Sequence, residues 1–185
     1  MLMFPQRSDP IKQSFPFTYI TLDIHFTDDV QHQVQIYMDI SGEWATAQDS
    51  DDIFWTSSEI GYSSFYQIQR SPTQLLESDN RAQDIVSILA TRFGSDVSMA
   101  AGMVDCRSQF INSGVVTGTS IRPPIKMGDP WPVLSIVKNL GNVSGTVFPV
   151  VFANGAYRNP SIASIAPTGK TQQLSPLFAA KHDTI

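Results

Sequence analysis

Apolar and polar residues alternate with a period of two in two stretches near the start of the chain. Within residues 17–26, apolar side chains stand at every second position from Ile20 to Phe26, and residues 33–40 repeat that pattern. A period of two is typical of a strand that buries one face. Because polar, turn-forming residues 27–30 separate the two stretches, the pattern predicts that they pair as an antiparallel hairpin.

A helical period follows in the middle of the chain. Between residues 79 and 93, apolar side chains fall on one face at a spacing of about 3.6 residues: Ala82, Ile85, Val86, Leu89 and Phe93. Asp79 stands where a helix cap belongs, and Gly94 stands where a left-handed terminator belongs. The pattern therefore predicts one main helix at about residues 79–93.

Short apolar runs predict the remaining strands, at residues 53–55, 62–69, 109–111, 115–121, 133–137 and 143–153. Asn154 and Gly155 match a two-residue type I′ turn, and a returning strand is expected from Ala156. Residues 95–105 suit either a short helix or irregular packing. The set predicts a mainly β fold, an antiparallel β-sandwich of jelly-roll or immunoglobulin-like type.

Prolines mark both ends of the chain. Pro5, Pro10 and Pro16 disfavour regular structure near the start, so residues 1–16 are expected to form an extended N-terminal arm. Residues 17–160 are then the β-sandwich domain. Residues 161–185 are expected to form an extended C-terminal arm, anchored by a few apolar residues: Leu174, Leu177 and Phe178.

Charge and composition narrow the class of protein. The chain has 12 basic and 17 acidic residues, a net charge of -5, and no run of lysine and arginine, which disfavours nucleic-acid binding. No apolar stretch is long enough for a membrane span, and the N-terminus lacks a signal-peptide pattern, so we expect a complete, soluble chain. A single cysteine, Cys106, excludes an internal disulfide.

The acidic cluster within residues 49–52 is a weak candidate for a calcium site. Asp49, Asp51 and Asp52 provide oxygen ligands of the kind that calcium prefers, with Asp28 and Asp29 in a neighbouring turn. The spacing lacks the glycine and the distal glutamate of an EF-hand loop. An exposed acidic loop is therefore favoured over a metal site.

No complete catalytic motif is present. Gly169-Lys170-Thr171 resembles the end of a phosphate-binding loop, but Ser164 stands where the first glycine belongs. His25 and His32 offer a two-histidine metal site or a base for Cys106, and solvated histidines on a sheet face are favoured over both. No pair of carboxylates is singled out over any other. We therefore expect no catalytic residues, no cofactor and no enzymatic activity.

Three tryptophans near predicted loops are candidate contacts for a glycan or a protein: Trp44, Trp55 and Trp131. Tyr62 and Tyr66 belong to the same group of aromatic residues. Filling of the core is the alternative for each, and the favoured one. The direction in which the tryptophans point discriminates between the two.

A β domain with a weakly charged surface and proline-marked arms resembles, in general style, proteins that build virus or phage particles. That resemblance implies a structural component of a virion, such as a capsid, spike or tail protein, which assembles with copies of itself and with other virion proteins. The alternative is a β-sandwich module that binds a carbohydrate or a receptor.

Overall fold

The structure is a computed structural model that describes residues 8–74, 77–78, 80–102, 105–117, 122–128, 131–158, 163–165, 169 and 171–173. The strands are β1 (Phe17–His25), β2 (His32–Ser41), β3 (Asp52–Ile60), β4 (Ser63–Ser71), β5 (Glu77–Ser78), β6 (Arg81–Ala82), β7 (Ile85–Arg92), β8 (Val97–Gly102), β9 (Ile125–Lys126), β10 (Val133–Val143), β11 (Thr146–Arg158), β12 (Ala163–Ile165) and β13 (Thr171–Gln173). The helices are α1 (Pro10–Gln13) and α2 (Asp105–Ser113), and Gly42–Ala45 form a 3₁₀ turn.

Two antiparallel sheets carry most of the fold. One has six strands in the order β1-β11-β7-β4-β3-β9, and the other has three in the order β2-β10-β8. Two smaller sheets pair β5 with β6 and β12 with β13. The expected mainly β, antiparallel class is confirmed.

Buried side chains from both large sheets meet in one core, which gives a sandwich-like arrangement. The six-stranded sheet contributes Ile53, Trp55, Tyr66, Ile68, Leu89, Val150 and Phe152, and the three-stranded sheet contributes Ile40, Ala101, Leu134 and Ile136. Each large side chain removed from water in this way stabilises the fold by about 1.5–3 kcal/mol. A second cluster, which includes Cys106 of α2 and Val137 of β10, joins α2 to the three-stranded sheet.

The two alternating stretches are strands, as predicted, but the hairpin between them is wrong. β1 pairs with β11, with Thr21 opposite Val151, whereas β2 pairs with β10, with Met38 opposite Ile136. The link between β1 and β2 therefore crosses from one sheet to the other. Alternation of apolar and polar residues identifies a half-buried strand but does not indicate which strand it pairs with. The predicted hairpin is wrong for this reason.

The helix predicted at residues 79–93 is also wrong. β7 occupies most of that stretch and lies between β11 and β4, with Val86, Ile88 and Leu89 all buried. A strand that buries both faces carries a nearly continuous apolar run, and part of that run also fits a helical period. The longer described helix is α2, which replaces the strand expected at residues 109–111. Residues 115–117 are not a strand, and residues 118–121 lie outside the described ranges.

The turn predicted at Asn154-Gly155 lies in the middle of β11. Gly155 stands opposite Phe17 of β1 and Ile88 of β7. A Cβ atom at position 155 would lie 2.3 Å from the backbone oxygen of Pro16. Glycine is therefore required here by the close approach of the β1 backbone rather than by a turn.

Parts of both predicted arms contain regular structure. Pro10–Gln13 form one helical turn, and the Asp9 side chain accepts hydrogen bonds from the Ile11 and Lys12 amides. Near the other end, β12 pairs with β13. The anchors Leu174, Leu177 and Phe178 lie outside the described residues, and the predicted domain boundaries stay predictions. Among the described residues, no helix is long and apolar enough to cross a membrane.

Candidate functional site

A groove of about 340 Å³ lies between the edge strand β2 and helix α2. Three residues of each element line it: Tyr37, Met38 and Asp39 from β2, and Arg107, Phe110 and Ile111 from α2. The helix is held in place because its Cys106 is buried against the three-stranded sheet. The groove therefore follows from how α2 packs on that sheet.

The polar part of the groove is centred on Asp39, whose side chain is only 12% exposed. Arg107 donates from Nε to Oδ2 at 2.5 Å and from Nη2 to Oδ1 at 2.8 Å. The Tyr37 hydroxyl also donates to Oδ2, at 2.8 Å. Both carboxylate oxygens are therefore occupied, and a bidentate arginine pair of this kind fixes geometry as well as charge.

The other lining of the groove is apolar. The rings of Tyr37 and Phe110 stack with centroids 5.0 Å apart, and Ile111 is 81% exposed. Burial raises the pKa of the Tyr37 hydroxyl, and the Asp39 carboxylate adds to that effect. Asp39 in turn holds the pKa of the Arg107 guanidinium above its ordinary value. A protonated phenol and an occupied carboxylate equip the groove for contact rather than for proton transfer.

A second recess, smaller and polar, lies at the end of β4. Its volume is about 100 Å³, and it is lined by Gln48, Asp51, Arg70, Gln74, Ser78 and Gln83. Arg70 binds Asp51 through two contacts, Nε to Oδ2 at 2.9 Å and Nη2 to Oδ1 at 3.0 Å. The hydrogen bond from Arg70 holds the pKa of the Asp51 carboxyl below its ordinary value, and the Thr46 hydroxyl assists.

A third arginine–aspartate pair closes one end of the six-stranded sheet. Asp84, immediately before β7, is 2% exposed in its side chain, and Arg158 at the end of β11 binds it at 2.9 and 3.0 Å. Glu77 lies 3.8 Å from the same guanidinium. The three arginine–aspartate pairs join residues that are between 19 and 74 positions apart in the sequence.

The calcium candidates are not arranged around one point. Asp51 is occupied by Arg70, whereas Asp52 opens β3 opposite Ser71 and Lys126. Asp49 accepts the Gly128 amide through its backbone oxygen. Within the described ranges, no three acidic, histidine or cysteine side chains are grouped as metal ligands would be. A cation at Asp51 would have to displace an arginine.

The two histidines have different partners in different sheets. His25 Nδ1 lies 3.4 Å from the Thr146 hydroxyl, whereas His32 Nε2 lies 2.8 Å from Asp28 and its ring stacks on Phe26. Cys106 is buried in α2, and burial raises the pKa of its thiol. A thiol in that state is a poor nucleophile at neutral pH.

The tryptophans do not form one exposed face. Trp55 is 5% exposed and belongs to the core, whereas Trp131 is 37% exposed. Trp44 lies in the 3₁₀ turn, and its side chain is outside the described part of the structure. Tyr66 is also buried, while Tyr62 is 83% exposed. Filling of the core, the favoured alternative, therefore holds for Trp55 and Tyr66.

The groove residues were missed from the sequence. Tyr37 and Asp39 fall on the polar side of a predicted strand, which signals nothing by itself. Arg107 and Phe110 join them only because residues 105–113 form a helix, which the apolar pattern does not predict. A tyrosine and an aspartate two residues apart on one strand face was the one local signal.

Comparison with known protein families gives a match for this sequence. A family model described as a domain of unknown function, DUF5127, matches residues 3–185. The chain belongs to the DUF5127 family. The two sheets, the groove and the ion pairs described above are therefore features of one member of this family.

The DUF5127 chain is also similar to part of an enzyme. It is 30% identical over 152 residues to a protein named Glutaminase A from Aspergillus oryzae (strain ATCC 42149 / RIB 40). The match covers 77% of this chain and 21% of Glutaminase A. The chain thus spans about a fifth of the length of that relative.

Proposed function

We propose that this DUF5127 chain is a non-catalytic, sandwich-like β domain that serves a larger glutaminase-like protein as a structural and contact module. One observation carries the proposal: the match takes in 77% of this chain but only 21% of Glutaminase A. Most of Glutaminase A lies outside the shared region, which leaves room for its catalytic groups elsewhere in that protein.

The polar groups of the described residues support this role. A nucleophilic mechanism needs a reactive side chain beside a base. Cys106 is buried with a raised pKa, and Ser64 and Ser87 are buried hydroxyls without a partner. The carboxylates of Asp39, Asp51 and Asp84 are each occupied by an arginine. The three carboxylates join separate elements of the fold, and the buried thiol and hydroxyls are poorly placed to react.

The α2–β2 groove supplies the contact surface in this proposal. Exposed Ile111 and the stacked Phe110 give it an apolar side, and the half-exposed Arg107 gives it a charged rim. An apolar centre with an arginine at the rim is a common composition for a protein interface.

A chimera tests the proposal. This chain replaces the matching segment of Aspergillus oryzae Glutaminase A, and the purified chimera is assayed for ammonia release from glutamine. We expect activity that survives replacement of the candidate reactive groups, Cys106→Ala, His25→Ala and His32→Ala, within about twofold. A folded chimera that loses activity through one of these changes alone would show that the domain contributes to catalysis. Circular dichroism on each variant separates loss of chemistry from loss of folding.

The virion role expected from the sequence stays a prediction, and so does the alternative of a module that binds a carbohydrate or a receptor. The jelly-roll or immunoglobulin-like topology of the fold also stays a prediction. Neither the family match nor the similarity to Glutaminase A indicates a particle protein or a glycan-binding module. The accessory role has the support of a relative and is therefore preferred here.

A further inference from the structure

β1 is an edge strand in which residues 18–22 are exposed and uncharged. It ends the six-stranded sheet, and within the described residues no strand pairs with its outer edge. Six consecutive residues of β1, from Thr18 to Asp23, are exposed. Three of them are large and apolar: Tyr19 at 53% exposure, Ile20 at 36% and Leu22 at 39%.

The exposure of Ile20 and Leu22 has a cause in the layer arrangement. Ile20 stands opposite Phe152 and Leu22 opposite Val150, and both of those β11 residues are buried in the core. The two β1 side chains therefore lie on the core side of the sheet. They stay half-exposed at the margin of a sandwich whose second sheet has only three strands.

Edge strands are usually protected from pairing by a lysine, a proline or a bulge. Residues 18–22 (TYITL) contain no charge and no proline. The first charged residue is Asp23, at the irregularity between Leu22 and Ile24. A stretch of five unprotected residues, ended by a bulge, is the length of an ordinary short strand.

We propose that β1 pairs with β1 of a second copy of this chain, antiparallel about a twofold axis at Ile20. In that register Ile20 faces Ile20, Tyr19 faces Thr21, and Thr18 faces Leu22. Every pair joins residues on the same face of the sheet, as antiparallel pairing requires. No like charges oppose one another, which matters for a chain with a net charge of -5. The product is a continuous sheet of two six-stranded halves.

A second copy fits this edge better than an arbitrary strand because the sequence 18–22 is self-complementary. β-branched and aromatic residues lie opposite one another in the proposed register, and such pairs stabilise antiparallel strands. The proposal does not rest on the proposed function, because pairing and glutamine hydrolysis are measured separately.

Sedimentation equilibrium of the full chain is the experiment. We expect a mass of twice 20.4 kDa at micromolar concentration. Ile20→Lys places two lysines across the axis and is expected to weaken dimerisation at least tenfold. Ile60→Lys is the matched control, because Ile60 is a 51% exposed isoleucine at the end of β3, far along the sheet order. If Ile20→Lys does not fold, Tyr19→Lys takes its place.

Cross-linking tests the register. In a Cys106→Ala background, Ile20→Cys brings two thiols together at the axis, whereas Ile60→Cys does not. Mild oxidation is expected to give a covalent dimer from the first variant only, since facing strand positions lie within disulfide reach. A wild-type chain that stays monomeric up to roughly 1 mM would overturn the proposal. A dimer that Ile20→Lys and Tyr19→Lys leave unchanged would overturn it equally.

Discussion

Replacing Arg158 with methionine removes the partner of a buried carboxylate and keeps most of the apolar stem of the side chain. Asp84 is 2% exposed and is held by two hydrogen bonds, at 2.9 and 3.0 Å, from Arg158. Breaking a fully buried ion pair by removing one partner costs about 3–5 kcal/mol. Arg158 itself is 54% exposed, so water can approach that side of the pair and reduce the cost.

We therefore expect Arg158→Met to lower the free energy of unfolding by about 2–3 kcal/mol, measured by urea denaturation. The corresponding fall in the melting temperature is roughly 4–12 °C for a domain of this size. Arg92→Met is the control, because Arg92 is exposed at the end of β7, and a change within about 0.5 kcal/mol is expected there.

The double variant Arg158→Met/Asp84→Asn and its two single variants form a double-mutant cycle. It is expected to be less destabilised than the sum of the single changes, because the neutral amide no longer leaves a buried charge behind. An Arg158→Met protein as stable as the Arg92→Met control would refute the view that this pair fastens β11 to the start of β7.

Three further predictions concern the core, acid stability and the cysteine. Phe152→Ala removes a fully buried ring from the main core and should cost about 3–5 kcal/mol in urea denaturation, whereas a loss below about 1 kcal/mol would contradict the core assignment. The pKa of Asp51 is lowered by Arg70 in the folded state, so its contribution to stability is present above the ordinary value of 3.8 and is lost as the pH falls below it. Asp51→Asn should therefore flatten the loss of stability on acidification, and an unchanged acid profile would count against the pair. Cys106 is buried, so iodoacetamide should label it in urea but not in the folded protein at neutral pH, and rapid labelling of the native chain would contradict its placement.

The class of fold could be predicted from local patterns, but the partners of the strands could not. Alternation in residues 17–26 and 33–40 is the mark of half-buried strands, and both strands exist. Which sheet each joins depends on contacts with β11 and β10, more than 90 residues later in the chain. Such long-range pairing leaves no local trace, since any strand with an apolar face suits many neighbours.

The errors at β7 and α2 have complementary causes. β7 buries both faces, so its apolar residues imitate a helical stripe. α2 buries only Cys106, and its other apolar residues, Phe110 and Ile111, are neighbours in the sequence, so the helix shows almost no apolar stripe. The groove depends on α2, and its residues could not be assembled from the sequence for that reason.

The burial of the candidate aromatic residues could be predicted from the sequence, but the partner of the candidate calcium ligand Asp51 could not. Burial of Trp55 and Tyr66 follows from their places in β3 and β4, and core filling was the favoured alternative for aromatics. The pairing of Asp51 with Arg70, 19 residues apart, needs the β3–β4 hairpin to bring them together. An acidic cluster in a sequence does not show which of its members an arginine already occupies.

The most direct test of the account is the rate of ammonia release from glutamine by the purified chain alone. Aspergillus oryzae Glutaminase A serves as the positive control, and folding of the chain is verified by cooperative urea denaturation. We predict no release above the buffer blank, because Asp39, Asp51 and Asp84 are each paired with an arginine and the one thiol, Cys106, is buried. Steady release by the folded chain would contradict the account, and it would place the catalytic groups inside this domain.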